Sequence, residues 1–353
     1  MAYRPIHERI EWLWSLGSTH AETYCSPEAT LARKRYLAEH PTHIIVLKCM
    51  DGRIHIPYAT DTPLGIIEPI RNLGGMFHLG WPYLGEVVAN SVAAAVDAGK
   101  RVLIMITYHF SKGDALRGCA GFNFDKDASV RYVQEIKRQV EFTFGLEHQT
   151  VYPLVVGFET DEDALILHGR NAVLNLAELA QPETDASDLR AQVQSLFPDM
   201  PERIQTDLLP LVQGNLRRIA AIRDSKRQIA TEHREWMICV GRGFDFLHVP
   251  NVALIVGPYS PDLSGPIAKA ASIIHANMQA GRIPDDGFLL LASAPYRERG
   301  VDRARAVLKS RFLSEFANMV IDEQLKDLHP KMIRKTAVLH WHTRMLEMIG
   351  DEG

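Results

Sequence analysis

Three side chains have the types and sequence positions to hold a borderline metal ion together: Cys49, His109 and Cys119. Cys49 ends the apolar run that begins at Ile44 and opens Cys49-Met50-Asp51-Gly52-Arg53; His109 follows a second such run, Val102-Leu103-Ile104-Met105-Ile106. Cys119 comes ten positions later, inside Gly118-Cys119-Ala120-Gly121. Two thiolates and one imidazole suit Zn²⁺, and three protein ligands leave the fourth tetrahedral position to water, which is the catalytic arrangement. Water on Zn²⁺ falls from far above neutrality to a pKa of about 7, so hydroxide becomes available at neutral pH. That is the chemistry of a hydration catalyst. Asp51 can accept a hydrogen bond from such a hydroxide, and Arg53, paired with Asp51, would keep the carboxylate off the metal. The competing reading of the same residues is two core cysteines and a loop ion pair. Placement at the ends of two buried strands favours the metal.

The positioning elements are legible in outline. Helical spacing of Ile6, Ile10, Leu13 and Leu16, then Ser26 as N-cap with Pro27 behind it, predicts two helices within residues 1–42. His43 to Met50 and Arg101 to Tyr108 read as buried parallel strands, with a helix from Leu84 to Gly99 between them. A helix over Asp127–Gly145 and a hairpin of Val151–Val156 with Ala164–His168 complete an α/β domain over 43–180. In an open parallel sheet the carboxyl ends of the strands line the crevice, which is where Cys49, His109 and Cys119 would converge. Residues 181–236 read as a connection carrying one short helix and a long one from Glu202 to Glu235. From Met237 to 353 the first pattern recurs, with strands at Met237–Arg242, Val252–Val256 and Phe288–Ala294 and helices from Ile267 and Val301. An internal duplication is predicted, in which Cys49 aligns with Cys239 and the positions of Asp51, His109 and Cys119 fall at or near Gly241, Tyr296 and Ala306. The second copy would hold no metal.

Composition excludes several classes. At 353 residues, 46% hydrophobic and 23% charged, the chain can build two ordinary cores, and a net charge of -4 makes nucleic acid a poor partner. No apolar run approaches the roughly 18 residues of a bilayer span, and Arg4, Glu8, Arg9 and Glu11 interrupt any leader core. No membrane is expected, and four scattered cysteines with no C-x-x-C pair point to a reducing, cytoplasmic setting.

C-x-D-x-R after a buried strand, then Arg71-Asn72-Leu73-Gly74-Gly75, a small-residue helix, a strand and His…Cys resembles the β-carbonic anhydrase superfamily over about residues 43 to 125. The nine residues between His109 and Cys119, against two in the plain β class, are similar to the cadmium-tolerant (zeta) and carboxysome-shell branches. The latter also carry a degenerate second copy. The resemblance implies a parallel-core sheet flanked by helices, Cys49, His109 and Cys119 as ligands, and Asp51 with Arg53 as the catalytic dyad. It implies a zinc-dependent carbonic anhydrase whose metal hydroxide hydrates CO2 to bicarbonate and a proton, with Cd²⁺ or Co²⁺ as substitutes for Zn²⁺. The alternatives are a CS2 or COS hydrolase on the same scaffold and a non-catalytic zinc scaffold protein. A homo-oligomer is compatible with the superfamily's paired domains. The N-terminal segment of about forty residues is shorter than the helical extension of the carboxysomal enzymes, so carboxysome membership does not carry over.

Other candidates read as structural. His40, His43, His55 and His78 could shuttle a proton, but each is better taken as a packed or solvated side chain. His340-Trp341-His342 has strand alternation and would put two imidazoles on one face. Arg217, Arg218, Arg223, Lys226 and Arg227 form a solvated helix face, and Gly74-Gly75 reads as close backbone packing beside the site.

Overall fold

The computed structural model describes residues 3–179, 186–225, 232–243 and 249–350. In chain order, α1 (Ile6–Cys25) and α2 (Pro27–Glu39) precede β1 (His43–Cys49). Then come α3 (Ile56–Ala59), β2 (Ile67–Asn72), α4 (Pro82–Asp97), β3 (Val102–Phe110), α5 (Lys126–Phe144), β4 (Val151–Glu159), β5 (Ala164–His168) and β6 (Val173–Asn175). Short α6 (Leu176–Leu179) and α7 (Ala186–Leu196) lead to α8 (Glu202–Asp224). The rest is β7 (Met237–Gly241), β8 (Ala253–Val256), α9 (Ser264–Gln279), β9 (Phe288–Tyr296), α10 (Val301–Gln324), β10 (Met332–His340) and β11 (Leu346–Met348). By its internal contacts the chain divides into two compact units, Leu31–Cys49 with Ile54–Thr231, and Met1–Thr30 with Met50–Arg53 and Glu232–Gly353.

The unit holding β1 is built on a six-stranded sheet of order β2-β1-β3-β4-β5-β6. β1 to β4 run parallel, and β5 and β6 are antiparallel additions. Continuous apolar runs account for the centre: Ile44 to Leu47 and Val102 to Ile106 are buried on both faces, as parallel strands under helices must be. β2 escaped the sequence reading because Glu68 and Pro69 interrupt its apolar run. It is an edge strand, paired with β1 only, so the amide that Pro69 lacks is one the sheet does not need. α8 is keyed in place by Asn215, whose amide donates to the carbonyls of Ala59 and Asp163 (both 2.8 Å) and accepts from Leu165 N (2.9 Å). The predicted helix to Glu235 is shorter than expected: it ends at Asp224, and His233 to Trp236 is non-helical chain entering β7. Residues 226–231, with Lys226 and Arg227, lie outside the described residues.

The other unit is built on a five-stranded sheet of order β8-β7-β9-β10-β11. β7, β8, β9 and β10 are parallel and β11 is antiparallel to β10. Strand for strand this repeats β2-β1-β3-β4-β5 in order and direction, with α9 and α10 in the chain positions of α4 and α5. The ladders nevertheless correct the predicted alignment of single residues. Leu47 is the last rung from β1 to β3, and Cys49 stands two residues beyond it. Cys239 sits mid-ladder, paired with Ile255 and Leu291, fully buried. The stretch just past the last rung of β7, Gly241 with Ser293, is Arg242-Gly243. Cys239 is thus a core residue inside its ladders, whereas Cys49 ends β1 on the rung it shares with Asn72 of β2. β3 and β9 each have nine residues, and the eighth is His109 in one and Pro295 in the other. His340 ends β10, and Trp341-His342 continues as a turn, so the expected strand alternation there is absent; the two imidazoles pack edge to face at 5.9 Å.

Candidate metal centre

β1 and β3 are adjacent and parallel, so their carboxyl ends fall together, and that brings Cys49 and His109 to one place. Cys119 joins them from a loop that returns across the strand ends. One ligand atom from each of the three lies within 4.8 Å of the others. All three are buried, at 5%, 2% and 4% exposure, which excludes bulk water from the donor set.

Backbone carbonyls and two glycines set this geometry. Arg71, itself buried, donates through Nη1 to the Cys49 carbonyl (3.2 Å) and through Nη2 to the Ile54 carbonyl (2.9 Å). Asn72 Nδ2 donates to the Met76 carbonyl (2.8 Å), closing the turn that contains Gly74 and Gly75. Both glycines have left-handed φ, +66° and +65°. A Cβ on Gly75 would stand 3.0 Å from the Thr107 carbonyl and 3.5 Å from Cys49 N, so the expected close packing beside the site is present. Gly75→Ala is therefore expected to cost about 1–3 kcal/mol from backbone strain plus displacement of the Cys49 strand end. Equilibrium urea denaturation checks this, and an unchanged midpoint would remove the turn from the account.

The long spacing between His109 and Cys119 also has a cause. Asp161 accepts from Ser111 Oγ (2.9 Å) and Gly113 N (2.7 Å), and Glu159 accepts from Lys112 N (3.2 Å). The β4–β5 hairpin thus pins the intervening loop, and Cys119 can return to the strand ends. Burial pushes the Glu159 carboxyl up; the amide of Gly113 and the hydroxyl of Ser111 hold Asp161 down against its own partial burial.

The neighbouring Cys119 sulfur and complete burial push the Cys49 thiol well above its ordinary value, with His109 pulling weakly the other way. The donor set, two thiols and an imidazole at mutual reach, fits Zn²⁺.

Asp51 and Arg53 belong to the other unit by contact. Ile255 N donates to the Met50 carbonyl (2.9 Å) and Asn251 N to the Gly52 carbonyl (2.7 Å), so the loop after Cys49 is tied to β8 and its approach. Arg53 clamps Asp51 bidentately, Nε to Oδ1 at 3.0 Å and Nη2 to Oδ2 at 2.6 Å, and its own amide donates to Oδ1 at 2.8 Å. Both residues are buried.

His233 and Glu235 were not singled out in the sequence. Arg53 Nη2 lies 2.9 Å from His233 Nε2, and His233 Nδ1 lies 3.0 and 3.1 Å from the Glu235 carboxylate. Glu235 also accepts from Gly52 N at 3.2 Å. Asp51, His233 and Glu235 form the second cluster of metal-capable groups among the described residues. Its cation is already present as the Arg53 guanidinium, so a metal ion has no electrostatic vacancy there. Complete burial would raise the Glu235 carboxyl, but the hydrogen bond from His233, with the Arg53 charge behind it, holds it below the usual range. A depressed folded pKa contributes stability above the unfolded value that is lost as pH falls through the folded one. Glu235→Gln is expected to unfold about 1–3 kcal/mol more easily at pH 7, with the gap narrowing as the pH drops below 4.5. Urea midpoints across a pH series test it; a gap that does not change with pH contradicts it.

The candidate shuttles are occupied structurally. His40 faces Asp207 (3.4 Å), His43 faces Ser91 (2.9 Å) and Glu68 (3.3 Å), His78 accepts from Gly80 N (2.9 Å), and His55 is buried beside Tyr58. Arg217, Arg218 and Arg223 pair with Asp61, Asp163 and Glu162 at 2.8–2.9 Å, so this face of α8 is tied to the β4–β5 turn and to Asp61 and is not simply solvated.

Against known families, residues 32–203 match the model of the carboxysome shell carbonic anhydrase catalytic domain. This segment is similar to that branch of the β-carbonic anhydrases. The match takes in Cys49, Asp51, Arg53, His109 and Cys119 and extends well beyond the 43–125 stretch that carries the sequence motifs; the second sheet lies outside it. No curated protein matches the chain. Among the described residues no helix is long and apolar enough to cross a membrane.

Proposed function

We propose that the chain is a zinc-dependent carbonic anhydrase that interconverts CO2 and bicarbonate, with Cys49, His109 and Cys119 holding the metal. The observation that carries this is the convergence of three buried soft or borderline donors at adjacent strand ends, inside the segment similar to a carbonic anhydrase catalytic domain. Zinc held there would act as a Lewis acid that lowers the pKa of a water ligand to about 7. The chain supplies the rest. Three protein donors would leave one coordination position to water. Asp51, two residues past Cys49, would accept a hydrogen bond from the nucleophile and orient it. Arg53 occupies both Asp51 oxygens, so the carboxylate cannot itself enter the ligand set. His233 and Glu235 hold Arg53 in turn. Cd²⁺ or Co²⁺ can replace zinc on such donors.

The second sheet we read as a metal-free copy of the first. Identical strand order and direction support this, as does the absence of a cysteine or histidine at Arg242-Gly243 and at Pro295.

Stopped-flow CO2 hydration by the zinc-loaded chain tests the activity. Acceleration over buffer in proportion to bound metal is expected. A chain with one equivalent of zinc and no acceleration refutes it. CS2 and COS turnover then separates the hydrolase alternative from a non-catalytic zinc scaffold.

A further inference from the structure

Residues 112–116, on the way from His109 to Cys119, are all exposed, and the one large apolar side chain among them, Leu116, is 69% exposed. Burial in the core therefore does not fix this stretch. Gly118 and Cys119, which follow it, are nevertheless buried, so polar contacts must return the chain to the strand ends.

Those contacts converge on Asp161. Ser111 Oγ donates to both Asp161 oxygens (2.9 Å each), and Gly113 N donates to Oδ2 (2.7 Å). Ser111 Oγ in turn accepts from Asp114 N (3.2 Å), and Asp114 Oδ1 caps the short turn Ala115–Arg117 by accepting from Leu116 N (2.9 Å). Gly118 N closes that turn on the Ala115 carbonyl (2.9 Å), and Cys119 is the next residue. On its other side the Cys119 carbonyl accepts from Phe122 N (3.1 Å) and Phe124 N (2.9 Å). The thiol is thus reached through a run of hydrogen bonds that starts at Asp161. Glu159 also holds the loop, through Lys112 N, but it accepts from Asp161 N and Glu162 N as well, so its loss would disturb the hairpin itself. Asp161 is the separable member of the pair.

We propose that Asp161 is a positioning residue for the metal centre: it fixes the loop after His109 so that Cys119 reaches the other two donors. The consequence for metal rests on reading Cys49, His109 and Cys119 as ligands; the hold on Cys119 does not.

Thiol alkylation of the metal-free chain, read by mass spectrometry at each cysteine, tests the hold. Cys119 is 4% exposed. In Asp161→Ala it is expected to react with iodoacetamide at least about ten-fold faster than in wild type, the factor by which losing a charge-assisted hydrogen bond shifts a local opening. Glu162→Ala is the control, because Glu162 is the next residue on the same turn and pairs with Arg223 (2.8 Å). It should leave Cys119 slow. Cobalt loading tests the consequence: in Asp161→Ala the thiolate-to-cobalt absorption should fall toward that of Cys119→Ser, and a chelator should remove the metal at least about ten-fold more readily, with circular dichroism unchanged. Cys119 labelled equally in wild type and Asp161→Ala overturns the proposal. So does an equal acceleration in Glu162→Ala, which would mean that the hairpin has merely loosened, or a wild-type cobalt spectrum and affinity in Asp161→Ala. A wild type that takes up no cobalt, with Cys119 still released by Asp161→Ala, refutes the ligand reading and the metal role with it, while the hold on Cys119 stands.

Discussion

Asp51→Ala is expected to retain its metal and to lose about 10²- to 10⁴-fold in kcat/KM for CO2 hydration, the range typical of removing a positioned proton acceptor. The expectation rests on how completely Asp51 is committed. It is buried, and each oxygen is bonded to Arg53. A carboxylate immobilised in this way can present a lone pair in one direction only, which is what aiming a nucleophile requires. Asp51→Asn should fall less on structure and nearly as far on rate, since the amide keeps the shape and can offer a donor where an acceptor is needed. The rates must be compared at equal zinc content. If Asp51→Ala stays within two-fold of wild type, the residue is a loop ion pair and nothing more.

Arg53→Ala carries the largest stability effect. Its guanidinium is the cation between Asp51 and the His233–Glu235 pair. Removing it leaves two buried carboxylates, Asp51 and Glu235, with one imidazole to serve both. Breaking one partner out of a buried ion pair costs about 3–5 kcal/mol. Chemical denaturation should show a loss of that order, and Arg53→Lys should recover little of it, because a point ammonium cannot make the two-pronged contact. The double variant D51N/R53A should be more stable than R53A alone, as the stranded charge is gone. An Arg53→Ala chain as stable as wild type would mean that water reaches these groups freely. Activity should fall as well, since an unclamped Asp51 becomes free to compete for the metal.

Much of this centre was legible because its signals are local. The apolar runs before Cys49 and His109 are too short for helices and too continuous for half-exposed strands, so both residues fell at strand ends. Adjacent parallel strands then bring those ends together. Gly74-Gly75 was legible for the same reason, as two glycines beside a motif mark close backbone approach. β2 was not legible, because Glu68 and Pro69 look like a loop until the strand is known to lie at an edge. His233 and Glu235 left little local trace. They stand in a polar stretch, Glu232-His233-Arg234-Glu235, that continues the helical pattern upstream, and their partner Arg53 is 180 residues away in sequence. The one hint was the abrupt apolar run from Trp236, which announces that the helix has already ended. Cys239 resembles Cys49 in sequence because a core cysteine and a candidate ligand cysteine follow similar apolar runs; only ladder position tells them apart.

Metal content is the most direct test of the account. Zinc per chain should be measured after purification and exchange into metal-free buffer, for wild type and for Cys49→Ser, His109→Ala and Cys119→Ser. One equivalent in wild type, and a loss in each variant while the fold persists, is the result the arrangement of these three residues predicts. A wild-type chain that takes up no zinc, or a Cys119→Ser chain that holds it as tightly as wild type, would contradict it.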